Sequence, residues 1–153
     1  MKVTQGPLIL LNVVRPKTIA KKEEITTALE FSEFFDYQEE FYQNGPDVLS
    51  ITPQQNEPDY VIFEFFLTLN LPIEIATGGN NLKTYDRYTV ENALITRIAD
   101  NEEDYFRYDK ELRTYADEQL DLNLSEKTYF VITDNLGEKV VDIFIPIEGG
   151  VLA

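Results

Sequence analysis

At 153 residues the chain is long enough for one domain that buries roughly 70% of its unfolded surface. Its 43% hydrophobic and 12% aromatic content argues for an ordinary globular protein and against disorder. Thirteen basic residues against 28 acidic ones leave a net charge of -15, a field that repels nucleic acid and anionic membrane and favours a cationic or neutral ligand or a basic protein.

With no His and no Cys, a Ser-His or Cys-His nucleophile, an imidazole base and the usual zinc or copper ligands are all missing. Carboxylates, Tyr and Lys are the remaining catalytic candidates, so the sequence reads as a binding protein more readily than an enzyme, with no cofactor or metal. No stretch approaches the roughly 20 apolar residues of a membrane span. Leu8-Ile9-Leu10-Leu11 is too short for a signal core and lacks a small-residue cleavage site, so a cytoplasmic location is expected.

The first element, from about Leu8 to Ala20, is apolar and β-branched with Pro16 inside it, which suits an edge or bulged strand. The period then changes. Thr27 and Glu30 form a capping-box pair, and Phe31, Phe34, Phe35, Phe41 and Tyr42 recur at helical spacing up to Asn44-Gly45-Pro46. Val48 to Thr52 reads as a short strand, Pro53 to Pro58 as a polar loop, and Tyr60 to Leu71 as a long strand. A linker at 76–81, rich in Gly and Asn, ends this half.

The second half repeats the order. Tyr88 to Ile98 reads as a strand, and Asp100 with Glu103 caps a helix whose Tyr105, Tyr108, Leu112 and Tyr115 are three and four apart. Tyr129 to Thr133 and Lys139 to Ile147 read as strands joined by Asp134-Asn135-Leu136-Gly137, a turn composition. Leu49-Ser50-Ile51-Thr52 and Leu71-Pro72-Ile73-Glu74 in the first half match Phe130-Val131-Ile132-Thr133 and Ile145-Pro146-Ile147-Glu148 in the second. The expected fold is therefore α+β, one domain over 1–153. Two βαββ units at 8–75 and 82–148 are related by pseudo-twofold symmetry, with both main helices on one side of an antiparallel sheet and a cleft on the other.

Period-two alternation assigns residues to the two faces. Phe63, Phe65, Leu67, Leu69 and Leu71 form an apolar row for the helix side, which leaves Tyr60, Ile62, Glu64, Phe66, Thr68 and Asn70 on the other. Aligning Pro72 with Pro146 puts Val140, Asp142 and Phe144 on that same face. In the short strands, Leu49, Ile51, Phe130 and Ile132 go to the core, and Ser50, Thr52, Tyr129, Val131 and Thr133 to the cleft side. Glu64 and Asp142 are thus the candidate ligand-facing acids, with Tyr60, Phe66, Tyr129 and Phe144 as aromatic walls. Such walls hold flat or cationic molecules by stacking and cation–π contact, each worth roughly 0.5–2 kcal/mol. The competing reading of this face is an open sheet whose acids are solvated.

The repeated βαββ order and the strand Lys139-Val140-Val141-Asp142-Ile143-Phe144-Ile145-Pro146-Ile147 resemble the GyrI-like effector-binding domain, the ligand-binding module attached to multidrug-responsive and AraC-type bacterial regulators. The resemblance runs from about Leu8 to Glu148. It implies two units side by side whose sheets line a cleft for a cationic or aromatic small molecule, with one acid, typically on the strand after the second helix, as counter-charge. Here that strand reads Thr128-Tyr129-Phe130-Val131-Ile132-Thr133 and holds no carboxylate, so that acid is not carried over. Residues 1–7 before the first strand offer no helix-turn-helix, and a regulator that binds DNA by itself is not expected. Hydrolases on the same fold imply a third option, hydrolysis through Glu64 or Asp142.

Other motifs carry less. Asp100-Asn101-Glu102-Glu103-Asp104 has the alternating acids of a calcium loop, but Tyr105 stands where the loop needs Gly, so it reads as a helix N-terminus whose acids complement the dipole. Phe106, off the helical stripe, reads as exposed or as part of a partner surface. Asp36, Glu39 and Glu40, with Glu23, Glu24 and Glu33, form an acidic face that is either solvated or a docking patch. A protein-interaction module that binds a basic partner, adaptor or antitoxin-like, is therefore the alternative to a small-molecule module.

Overall fold

The computed structural model describes residues 2–21, 46–54, 56–70, 82–98, 105–135 and 138–150. These are mostly antiparallel strand with one helix, which agrees with an α+β chain. The first expected helix, with its capping pair and acidic face, and the linker at 76–81 lie outside the described residues, as does the cap at Asp100 and Glu103. By its internal packing the chain divides into two compact units: unit 1 is Met1–Leu8 with Val90–Ala153, and unit 2 is Ile9–Thr89.

Unit 2 is built on β1 (Val3–Lys21, from Ile9 onward), β2 (Asp47–Pro53) and β3 (Tyr60–Thr68), with β3 between the other two. The run Tyr60-Val61-Ile62-Phe63-Glu64-Phe65-Phe66-Leu67 is β-branched and aromatic, suited to a pleated sheet. β1 pairs with β3 from Val13↔Thr68 and Val14↔Leu67 and, past Arg15 and Pro16, in the same register from Lys17↔Glu64 to Lys21↔Tyr60. Pro16 cannot donate to the ladder, yet it shifts nothing. Asn12 just before it takes a positive φ of 53°, a conformation that Asn tolerates, and its carbonyl accepts the Leu69 N–H at 2.9 Å. β2 and β3 form a hairpin, Val48↔Phe66 through Pro53↔Val61. Its loop is closed by Tyr60 N–H donating to Glu57 O at 3.0 Å, with Asn56 at φ 66°.

Both faces of β3 are buried from Phe63 to Leu69. Of the odd-numbered row expected in the core, Phe63, Phe65, Leu67 and Leu69 are buried, as are Leu49 and Ile51, and Leu71 lies outside the described residues. The even-numbered row is buried as well, including Glu64 at 3% and Phe66 at 0% exposure. The open, solvated sheet face is thereby excluded for unit 2.

Unit 1 contains the second part of β4 (Leu82–Ile98), α1 (Tyr105–Tyr115), β5 (Leu122–Leu124), β6 (Thr128–Asn135) and β7 (Glu138–Gly150). β7 pairs with β4 on one edge, Ala93↔Pro146 through Ile98↔Val141, and with β6 on the other, Tyr129↔Phe144 through Asn135↔Glu138. β5 extends the second edge at Leu122↔Gly150, Asn123↔Gly149 and Leu124↔Ile147 with an irregularity. The core holds Leu94, Phe130, Ile132, Ile143 and Ile145, with Leu112 and Ala116 fully buried. Tyr108 and Tyr115 are half-buried, and Phe106, expected to be exposed, is half-buried too. α1 widens into a π-helical turn at Ala116–Leu120 and stops at Asp121, whose φ of 50° turns the backbone left-handed while its N–H donates to Ala116 O.

Candidate functional site

The Glu64 carboxylate is the best-formed polar feature of unit 2. Ser50 sits opposite Glu64 in the β2–β3 hairpin, so their side chains share a face, and Ser50 Oγ donates to Glu64 Oε1 at 3.1 Å. Arg15 reaches the same carboxylate from β1, with Nη1 2.9 Å from Glu64 Oε2. The two charged side chains are 8% and 4% exposed. Burial on this scale removes most of the hydration of both ions, which makes their mutual contact obligatory.

Arg15 continues outward to an aromatic group. Its Nη1 lies 3.4 Å from Tyr85 Oη. Tyr85 packs edge-on against Tyr88 with ring centroids 5.2 Å apart, and Tyr88 lies 4.7 Å from the ring of Phe66. Phe66 is buried, while Tyr85 and Tyr88 are half-buried, so the group runs from the interior toward the surface. Thr68, two residues beyond Phe66 on the same face, keeps a buried Oγ1 without a hydrogen-bond partner among the described residues.

Glu64 and Phe66 are thus brought into one cluster. Tyr60 shares their parity but is paired with Lys21 at the far end of β3, four residues from Glu64 and roughly 13 Å along the strand. Sequence reasoning missed Arg15, Tyr85 and Tyr88. An arginine inside an apolar β-branched run was the available signal for the first, and the Tyr85-Asp86-Arg87-Tyr88 density for the others.

In unit 1 the register places Tyr129, Phe144 and Asp142 on one face together with Val131 and Arg97. Tyr129 is buried, with Lys127 Nζ 5.9 Å from its ring centre, and Phe144 is half-buried. Asp142 takes two hydrogen bonds from Arg97, Nε to Oδ1 at 2.8 Å and Nη2 to Oδ2 at 3.2 Å. These bonds first, and the carboxylate charge second, hold the Arg97 guanidinium above its ordinary pKa. The pair is open to water, 69% and 23% exposed. It borders a shallow depression of about 270 Å³ with Lys2, Thr4, Ile95 and Thr96. A further network fastens α1: Arg113 donates to Asp109, Ser125 O, Glu126 O and Thr128, and Thr128 donates to Asp109 at 2.7 Å.

Both acids expected to face a ligand are therefore already met by an arginine of the same unit, one pair dry and one wet. Among the described residues no group of three or more His, Cys, Asp or Glu is placed to hold a metal ion, and no helix is long and apolar enough to cross a membrane.

The fold is shared with solved structures of bacterial regulator proteins. No family model matches the sequence, and no curated protein matches it at the sequence level. Solved structures do match. The EcmrR C-terminal domain aligns over 98% of this chain and all of its own, with a TM-score of 0.63 and 8% identity. In the EcmrR–DNA complex the same likeness, TM-score 0.63 and 11% identity, covers 97% of this chain and 58% of the EcmrR chain. A bacterial transcription regulation protein from Staphylococcus aureus MU50 aligns over 97% of both chains, with a TM-score of 0.55 and 11% identity. A hydrolase from Listeria innocua aligns over 94% of this chain and 91% of its own at 0.51 and 8% identity. At such identities the likeness is one of fold.

Proposed function

We propose that the chain is a small-molecule effector-binding module for an aromatic or cationic ligand, with each unit offering one candidate face. In unit 2 that face is Glu64 and Phe66 with Tyr85 and Tyr88, and Tyr60 at its margin. In unit 1 it is Tyr129, Asp142 and Phe144. The observation that carries the reading is the buried Glu64 carboxylate, fixed by Arg15 and Ser50 and continuous with an aromatic group that reaches the surface. A charged pair this deep contributes little to stability even when well compensated, and packed aromatics beside fixed polar groups are the make-up of a ligand site. The resemblance in fold to a regulator's C-terminal domain supports the same class.

A ligand that binds the folded state alone raises its unfolding midpoint. A thermal-shift screen of aromatic and cationic compounds, repeated on Glu64→Gln and Asp142→Asn, tests the reading. Hits that weaken in either variant support it, and a broad screen with no shift sinks it. The net charge of -15 favours a second reading, docking of a basic protein without nucleic acid or membrane, which takes over if the screen is empty.

A further inference from the structure

The charge balance around Glu64 speaks to the kind of ligand, and the inference rests on the reading of unit 2 as a ligand face. A buried carboxylate with no counter-ion would call for a cation. Here Arg15 supplies that cation from within the chain, 2.9 Å away. Lys17 is the cross-strand neighbour of Glu64, so a second positive side chain projects from the same face. Among the described residues the charges on this face sum to neutral or positive.

A ligand cation arriving here has two options. It can displace Arg15 and leave a guanidinium unpaired in the interior, or sit beside the intact pair as an uncompensated charge in a dry place; both are unfavourable. A ligand anion must cross the field of a chain at -15 and settle beside the Glu64 carboxylate. An uncharged aromatic molecule meets neither obstacle. It stacks on half-buried Tyr85 and Tyr88, and the buried Thr68 Oγ1 on the same side, which lacks a partner among the described residues, is free to donate to or accept from it. We propose that the cluster recognises an uncharged aromatic molecule carrying a hydrogen-bonding group such as an amide or hydroxyl, with the Arg15–Glu64 pair acting as a built-in filter against cations.

The test compares matched probes: the carboxamide, the carboxylate and the trimethylammonium derivative of one-, two- and three-ring aromatics. Each is titrated calorimetrically into the whole protein at about 1 M salt, where a screening length near 3 Å suppresses non-specific attraction of cations to the acidic surface. The expected result is a carboxamide that binds about tenfold or more tighter than its charged counterparts. In Arg15→Met, which removes the internal cation beside Glu64, the preference should turn toward the trimethylammonium compound. If that variant does not fold, the wild-type ranking decides alone. A wild type that binds the ammonium or the carboxylate as tightly as the amide overturns the filter while leaving the ligand-binding reading intact. Binding by none of the probes overturns both.

Discussion

Removing one member of the Arg15–Glu64 pair should cost more than removing both. With side chains 8% and 4% exposed, the survivor of a single substitution is a desolvated ion, and breaking such a pair costs roughly 3–5 kcal/mol. In Glu64→Met two donors, Ser50 Oγ and Arg15 Nη1, lose this carboxylate. In Arg15→Met the carboxylate keeps only Ser50 of these two. The double variant Arg15→Met/Glu64→Met removes both charges and takes a partner from two hydroxyls, Ser50 Oγ and the more distant Tyr85 Oη, a loss of about 1–2 kcal/mol. Against a total stability of roughly 5–15 kcal/mol, each single change should lower the melting temperature by about 6–20 °C and the double by much less. Urea unfolding followed by tyrosine fluorescence suits a chain with nine Tyr and no Trp, with circular dichroism as a second probe of two-state behaviour. Single variants that lose less than about 1 kcal/mol, or a double variant equal to the sum of the singles, would refute the claim that this pair is dry and coupled.

The wet pair should behave oppositely: Arg97→Ala is expected to cost less than about 1 kcal/mol by urea unfolding, and still less at high salt, because both groups stay hydrated. Tyr85→Phe removes a long 3.4 Å contact and should cost no more than about 1 kcal/mol, whereas Phe66→Ala, from a fully buried ring, should cost about 3–5 kcal/mol; equal losses would contradict the inside-to-outside order of the aromatic group. Arg113→Ala should loosen α1, read as loss of amide-exchange protection at Leu112 and Ala116 before the strands of unit 1 open. If the chain instead docks a basic protein, pull-downs should recover it at low salt and lose it at high salt, and a partner indifferent to salt would argue against electrostatic docking.

What was legible in the sequence was local. Alternation along Tyr60-Val61-Ile62-Phe63-Glu64-Phe65-Phe66 fixes parity, and the observed registers Ser50↔Glu64 and Tyr129↔Phe144 join the faces as parity required. The partner of Glu64 was not legible, because Arg15 lies 49 positions earlier and no period connects them. Polar Thr4-Gln5-Gly6-Pro7 looked unlike a strand, yet β1 begins at Val3, with the Thr96 hydroxyl donating to Lys2 O at 2.9 Å. Leu122–Leu124 is too short to show any period at all, so β5 could be found only by its pairing to β7. Burial of the even-numbered face of β3 depends on what covers it, and alternation within one strand carries no information about that.

The division of the chain has a consequence for how it is made. Unit 2 is one unbroken stretch, but unit 1 takes its first eight residues from one end of the chain and the rest from Val90 onward. A growing polypeptide emerges N-terminus first, so the segment Val3–Leu8 must wait while roughly 80 more residues are synthesised before the rest of its unit begins to appear, several seconds or more at about 5–20 residues per second. During that interval the whole of unit 2 is synthesised, while the strand edge of Val3–Leu8 has no partner from its own unit. The Gly6-Pro7 in that segment is well chosen for the delay, since proline withholds the N–H through which a stray strand would join.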